Sequence, residues 1–190
     1  MVSTSDDMKG LGVRLGSALS SDPRLVLLRG SVGAGKTTLS RGIIQGWSSA
    51  VSEGEEGMDV VSPSYLLDIT YDRSTEAGDI ERLHHVDLYR LKGDEDLTRL
   101  MGDNVFRQGV WLVEWPERME QGNGMGVDLN GIEKVEVEIR IEEKDEDVVE
   151  EEEGGGVGDR DVLIDLSGLE MGDRERRVVI RSDAGWKVPL

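Results

Sequence analysis

The chain of 190 residues contains no cysteine, so neither a disulfide nor a cysteine-ligated metal site can form. Its two histidines, His84 and His85, are neighbours in an apolar run and cannot build a zinc site by themselves. Cations are scarce: 22 lysines and arginines face 40 acids, for a net charge of −18. A surface of that sign repels phosphodiester backbones, which argues against tight, unaided binding of RNA and leaves any RNA contact to a partner. Long apolar runs are missing too. The longest uncharged stretch, 42–52, has eleven residues, too few to span a bilayer. The start, MVSTSDDMKG, carries two early acids and no apolar segment, unlike a secretory signal. A cytoplasmic location is expected, or an organellar one if a transit peptide has been removed.

Hydrophobic residues make up 37% of the chain, little for this length, and the charge shows which part goes without packing. Residues 141–153, IEEKDEDVVEEEE, hold nine acids against Lys144, and GGGVG follows. Such a stretch repels itself and buries too little apolar surface to offset the entropy of ordering. A solvated loop over 143–160 is expected, with an acidic arm docked on a basic partner as the alternative reading. Outside it lie a core over 1–142 and C-terminal edge strands of the same domain over 161–190.

Glycine, by contrast, is placed with a purpose in LRGSVGAGKTTLSRG, residues 28–42. A polyphosphate is gripped by several backbone N–H groups at once, and only residues without a β-carbon let the chain curl that tightly. Gly30, Gly33 and Gly35 supply the curl, and Ser31, Val32 and Ala34 fill it. Lys36 brings a point charge to the outer phosphates, Thr37 a hydroxyl for Mg²⁺, and Thr38 continues into a helix whose positive end faces the ligand. Gly30 to Thr37 is thus a complete G-x-x-x-x-G-K-[ST] phosphate loop. From this chain's own residue frequencies a chance match arises on the order of once in a hundred such sequences. The context decides further: Pro23 introduces an apolar strand, Arg24 to Leu28, and Leu39, Ile43 and Ile44 share a helix face behind the loop.

Elsewhere, Leu11, Leu15 and Leu19 predict an amphipathic helix over 8–19. Residues 48–59 and 72–81 read as polar loops, and 60–71 and 83–89 as strands of an antiparallel hairpin. Asp94 is expected to cap a helix reaching Met101. Val110 to Val113 is continuously apolar and belongs in the centre of a sheet, closed by Glu114 before Pro116. Val135, Val137, Ile139 and Ile141 alternate with charged residues, the pattern of a strand with one wet face, and 162–166 and 178–180 return as strands. The fold expected is α/β, a P-loop NTPase-type mixed sheet with flanking helices and an elaborated antiparallel C-terminal edge.

Hydrolysis of a bound nucleotide needs a carboxylate at a neighbouring strand end to organise Mg²⁺ and water. Asp87 and Glu114 both sit where an apolar run stops, a costly place for an idle acid. Each could instead be a surface carboxylate, or one paired with an arginine such as Arg90. Trp115 is equally a core ring or a wall of the nucleotide site. Ser62-Pro63-Ser64 lies on a turn and offers a hydroxyl to Mg²⁺ or the γ-phosphate, although Ser-Pro turns are common without a ligand.

The phosphate loop, Ser62-Pro63-Ser64-Tyr65, His85-Val86-Asp87-Leu88-Tyr89-Arg90-Leu91 and Val113-Glu114-Trp115-Pro116-Glu117, in this order, resemble the TsaE (YjeE) family of small ATPases in tRNA threonylcarbamoyladenosine biosynthesis. The resemblance covers residues 11–142. It implies that Lys36 and Thr37 hold the phosphates and Mg²⁺ of ATP, that Asp87 and Glu114 are the essential carboxylates, that Ser64 is the switch hydroxyl and that Trp115 lies near the nucleotide. It further implies TsaD-type and TsaB-type partners, which modify the adenosine beside the anticodon in tRNAs reading ANN codons, with ATP hydrolysis resetting their complex. The chain departs from the family in Ser64, where threonine is usual, in Ser31-Val32 for Asp-Leu, and in the Glu/Gly-rich insertion near 53–59.

Two other readings stay open on the residues alone. A small-molecule kinase would need a basic lid, and no arginine-rich segment follows the core. A nucleotide-gated interaction module would use ATP to order 62–64 with hydrolysis incidental. A GTPase is disfavoured because no Asn-Lys-x-Asp string occurs.

Overall fold

A computed structural model describes residues 4–19, 25–49, 60–63, 66–75, 77–91, 106, 109–120, 129, 132–142, 164–165, 169–170 and 175–182. The expected helix from Asp94 and the expected acidic loop over 143–160 lie outside the described residues.

Helix α1 (Ser5–Ala18) starts where Thr4 and Asp7 cap one another: the Thr4 side chain accepts from the Asp7 amide and the Asp7 carboxylate from that of Thr4. Strand β1 (Leu25–Gly30) leads through the glycine loop into helix α2 (Lys36–Ser49), so Ser48 and Ser49, expected in a loop, are helical. Each helix carries glycines four residues apart, Gly12 and Gly16 on α1, Gly42 and Gly46 on α2. A β-carbon on Gly12 would come within 2.4 to 2.9 Å of the α2 backbone, and one on Gly16 would run into the Ile43 carbonyl. Backbone therefore rests on backbone where α1 crosses α2.

The sheet has the order β2-β3-β4-β1-β5-β8-β6, with β7 also on β8. Its strands are β2 (Asp68–Ser74), β3 (Ile80–Asp87), β4 (Val110–Glu114), β5 (Lys134–Glu142), β6 (Ile164–Asp165), β7 (Leu169–Glu170) and β8 (Glu175–Ser182). β3, β4, β1 and β5 are mutually parallel, while β2 joins β3 and β8 joins β5 antiparallel. The mixed sheet and antiparallel C-terminal edge are as expected, and β4 lies inside the sheet with all five residues buried.

The hairpin is where the observed elements differ most from the expected ones. Val60 to Pro63 is not a strand: Leu66 and Leu67 amides both donate to the Pro63 carbonyl, and the extended run begins only at Asp68. Residues 72–74 and 80–81, expected in a loop, are strand, because each charge faces its opposite across the ladder. Asp72 lies opposite Arg82 and accepts from its Nε at 2.7 Å, and Arg73 lies opposite Glu81 at 2.8 Å. The Arg73 guanidinium is buried, stacks on Trp47 and donates to the Trp47 carbonyl, tying the hairpin to the end of α2.

The two faces of the sheet are both covered. α1 and α2 pack with Val26, Leu28, Leu112, Val135, Val137 and Ile139, and the opposite face buries Leu25, Leu27, Val86, Trp111 and Val113 with Leu88, Phe106 and Met119. The short helix α3 (Glu117–Glu120) contributes Met119 to that second cluster.

Candidate functional site

The site forms where β3 and β4 stop level with one another beside β1, which runs two residues further into the loop. Glu114 ends β4 opposite Leu28 of β1 on one side and Asp87 of β3 on the other. Beyond the ladder the Trp115 amide donates to the Leu28 carbonyl and the Leu88 amide to that of Glu114, which locks the three ends together. Ligands of open α/β sheets sit outside such carboxyl ends, and here the phosphate loop leaves β1 at that edge.

The loop takes the backbone geometry its glycines permit. Gly30 has φ 143° and Gly35 φ 109°, both in the region that side-chain-bearing residues rarely occupy. At Gly30 a β-carbon would also meet the Ile139 carbonyl at 2.5 Å, so the loop can start only where no side chain separates it from β5. Ala34 is buried beneath the curl, and its amide donates to the Ser31 carbonyl at 3.2 Å. The first turn of α2 contains no acid of its own, so no side chain within the helix compensates its positive end.

Lys36 is 5% exposed, and its Nζ donates to the carbonyls of Gly30 at 2.7 Å and Ser31 at 2.9 Å. An ammonium has three hydrogens, so one remains for an anion. The same nitrogen lies 3.6 Å from the centre of the Trp115 ring, which is held there by a left-handed backbone, φ 63°. Burial pulls the lysine below its ordinary pKa, opposed by the charges of Glu114, Glu117 and Asp87.

Glu114 is 1% exposed and meets three donors. Its Oε1 accepts from Ser40 Oγ at 2.8 Å and faces His85 Nε2 at 2.9 Å, and its Oε2 accepts from Thr37 Oγ1 at 3.1 Å. Asp87 is buried as well, and its Oδ1 accepts from the Tyr89 amide at 2.9 Å. Val32, Gly33, Gly35, Lys36, Thr37, Thr38, Asp87, Glu114 and Trp115 line one cleft of about 390 Å³. Trp115, left open between core and wall, is a wall of this cleft and also packs against the second apolar cluster.

Of the candidates named from sequence, Ser64 alone lies outside the described residues. Gly30, Ser31 and Ala34 shape the loop without lining the cleft. Sequence reasoning missed His85 and Ser40, the two partners of Glu114 Oε1, and it missed Tyr89 and Arg90 as cleft walls. A signal existed for His85: it alternates with Leu83 and Asp87 on one face of β3, an apolar face that packing alone would fill with carbon.

Among the described residues no group of three or more His, Cys, Asp or Glu side chains forms a metal cage. Mg²⁺ commonly takes one or two carboxylates and draws its other ligands from water and substrate phosphates. Thr37, Asp87 and Glu114 meet this requirement at the mouth of the loop. No helix among the described residues is long and apolar enough to cross a membrane.

Sheet order, glycine loop and strand-end acids together define a P-loop protein of the mixed α/β class. Residues 2–151 match the family model described as Threonylcarbamoyl adenosine biosynthesis protein TsaE. The chain belongs to the TsaE family. Its relatives include proteins named tRNA threonylcarbamoyladenosine biosynthesis protein TsaE. That of Rickettsia felis is 31% identical over 117 residues, covering 62% of this chain and 61% of the relative. That of Haemophilus influenzae is 38% identical over 96 residues, covering 50% and 52%. That of Streptomyces coelicolor is 38% identical over 111 residues, covering 58% and 68%. The chain thus spans about half to two thirds of the length of these relatives.

Proposed function

We propose that this protein binds ATP with Mg²⁺ and hydrolyses it, slowly when alone, to reset a TsaD/TsaB-type transferase complex that makes threonylcarbamoyladenosine in tRNAs reading ANN codons. The observation that carries the reading is the register that sets Asp87 beside Glu114 while Glu114 shares the Thr37 hydroxyl next to Lys36.

In this scheme the amides of the cleft-lining loop residues, Gly33 and Gly35 to Thr38, cradle the phosphates, and the free hydrogen of Lys36 neutralises the β- and γ-groups. Thr37, Ser64, Asp87 and Glu114 are the residues that would hold Mg²⁺, Asp87 through water. Such an ion would supply neutralisation of the phosphate charge. Glu114 Oε2 orients the attacking water or takes its proton. The water oxygen bonds to the γ-phosphorus as the bond to the bridging oxygen breaks, and ADP and inorganic phosphate leave. Ser64 reports the γ-phosphate from its segment. Contact with tRNA is indirect, since a chain of net charge −18 repels the phosphodiester backbone.

The test is a pull-down of TsaD- and TsaB-type proteins with ATP and then ADP, followed by assay of ATP turnover and tRNA modification. Turnover that rises with the partners and capture that depends on the nucleotide support the reading. Stimulation by a nucleoside acceptor in place of the partners would replace it with a kinase.

A further inference from the structure

We propose that His85 is a positioning residue for Glu114, fixing which carboxylate oxygen faces the cleft. The inference rests on the reading of Glu114 as the residue that handles the attacking water.

His85 is 0% exposed, inside the sheet face covered by α2, two residues before Asp87. Its Nε2 lies 2.9 Å from Glu114 Oε1. An ionised carboxylate only accepts, so the tautomer with hydrogen on Nε2 is the one that satisfies the pair. The other ring nitrogen, Nδ1, is buried and has no hydrogen-bond partner among the described residues. A side chain present for packing alone would leave no such orphan, because an apolar residue fills the same space without one. The contact with Glu114 is what accounts for an imidazole here.

The consequence follows from counting acceptors. Ser40 Oγ has a single hydrogen, shared between Oε1 at 2.8 Å and the Lys36 carbonyl at 3.0 Å; it reaches Oε1 from the helix side, and His85 reaches the same oxygen from the strand side. Two donors from two different elements oppose rotation of the carboxylate about its last torsion, which is broad and roughly two-fold when free. Oε2, which among the described residues accepts from the Thr37 hydroxyl alone, at 3.1 Å, is left as the oxygen that can engage water. With His85 replaced by an apolar residue, Ser40 alone holds Oε1 and the presentation of Oε2 loosens. Catalysis suffers from such misplacement while phosphate binding, built from the loop and Lys36, does not.

Three variants of the full chain separate positioning from structure: His85→Phe, His85→Gln and His85→Asn. Glutamine carries its amide nitrogen the same number of bonds from the β-carbon as Nε2 and can keep the donor to Oε1, whereas the asparagine nitrogen corresponds to Nδ1 and cannot reach. Single-turnover hydrolysis of Mg·ATP, the Kd of a non-hydrolysable ATP analogue and thermal melting are measured for each. Expected is a fall of about 10- to 100-fold in the hydrolysis rate for Phe and Asn, recovery to within about threefold for Gln, and a Kd within about threefold of the parent throughout. Equal rates for Gln and Asn would overturn the proposal, and this comparison stands even if Phe fails to fold. Parallel losses of rate, affinity and melting temperature without recovery by Gln would also overturn it, making His85 a packing residue. Glu114→Ala is run alongside. If it abolishes hydrolysis while His85→Phe does not, only the positioning role fails; if it hydrolyses normally, the reading of Glu114 fails and takes this one with it.

Discussion

The centre of the sheet and its flanks handle charge in opposite ways. β4, β1 and the carboxyl half of β3 run parallel in the interior of the sheet, and β4 buries every residue. On β4 and at the end of β3, charge appears at the carboxyl ends, as Glu114 and Asp87, buried and met by hydroxyls, an imidazole and a backbone amide. In the antiparallel flanks the charges stand along the strands and answer one another near the surface, Asp72 with Arg82, Glu138 with Arg140 and Arg181. The flank pairs show it in their titration: a hydrogen bond from Arg82 holds Asp72 below its ordinary pKa, and one from Arg140 does the same for Glu138. Charge in the flanks keeps a wet face soluble. Charge at the end of the centre is desolvated at a cost that chemistry on a ligand explains.

Substitutions can test how far that contrast holds. Glu114→Ala should lower ATP turnover by about 10²- to 10⁴-fold with nucleotide affinity nearly kept; turnover within twofold of the parent, in a stopped assay of phosphate release, would remove the functional half of the contrast. Leu27→Ala, at a fully buried position of β1, is expected to cost about 2–5 kcal/mol in urea unfolding. Ile80→Ala, at the mostly exposed start of β3, should stay within about 0.5 kcal/mol. Comparable losses at the two sites would show that the flank is as tightly packed as the centre.

Gly16→Ala adds one methyl where α1 meets the Ile43 carbonyl and should cost about 1–3 kcal/mol through forced separation of the helices. A neutral result in the same unfolding assay would mean that the helices part without penalty. The smallest effect belongs to Glu138→Gln. The Glu138 carboxyl is held below its ordinary 4.5, so its contribution is present above that pH and is lost as pH falls through the lowered folded value. The variant should therefore be destabilised by under about 1 kcal/mol at neutral pH and match the parent once both forms are protonated, as melts at pH 7 and in strong acid would reveal.

What could be read from the amino acids follows the same division. Gly30 to Thr37 is contiguous, so its chemistry needs no knowledge of the fold, and an acid that halts an apolar run, as at Glu114, marks a strand end by itself. The order of strands is set by contacts far apart in the chain, and nothing local announces that β4 enters between β1 and β3. The hairpin was underestimated because residues such as Arg73 and Arg82 look loop-like until their partners Glu81 and Asp72 are opposite them. Ser40 was missed for a related reason. A serine inside a helix is unremarkable until a strand-end carboxylate comes to rest 2.8 Å away.

The glycines at the crossing of α1 and α2 have a mechanical meaning. Flexible side chains between two helices act as a cushion, absorbing small displacements by changing rotamer. Here Gly12 and Gly16 lie directly on the carbonyls of Leu39 and Ile43, and Gly42 and Gly46 on those of Lys9 and Val13, so the cushion is absent. Because α2 begins at Lys36, a tilt imposed on it by the phosphates would be passed to α1 almost undamped, as through two gears in mesh. On the proposed function, α1 would then follow any tilt of α2.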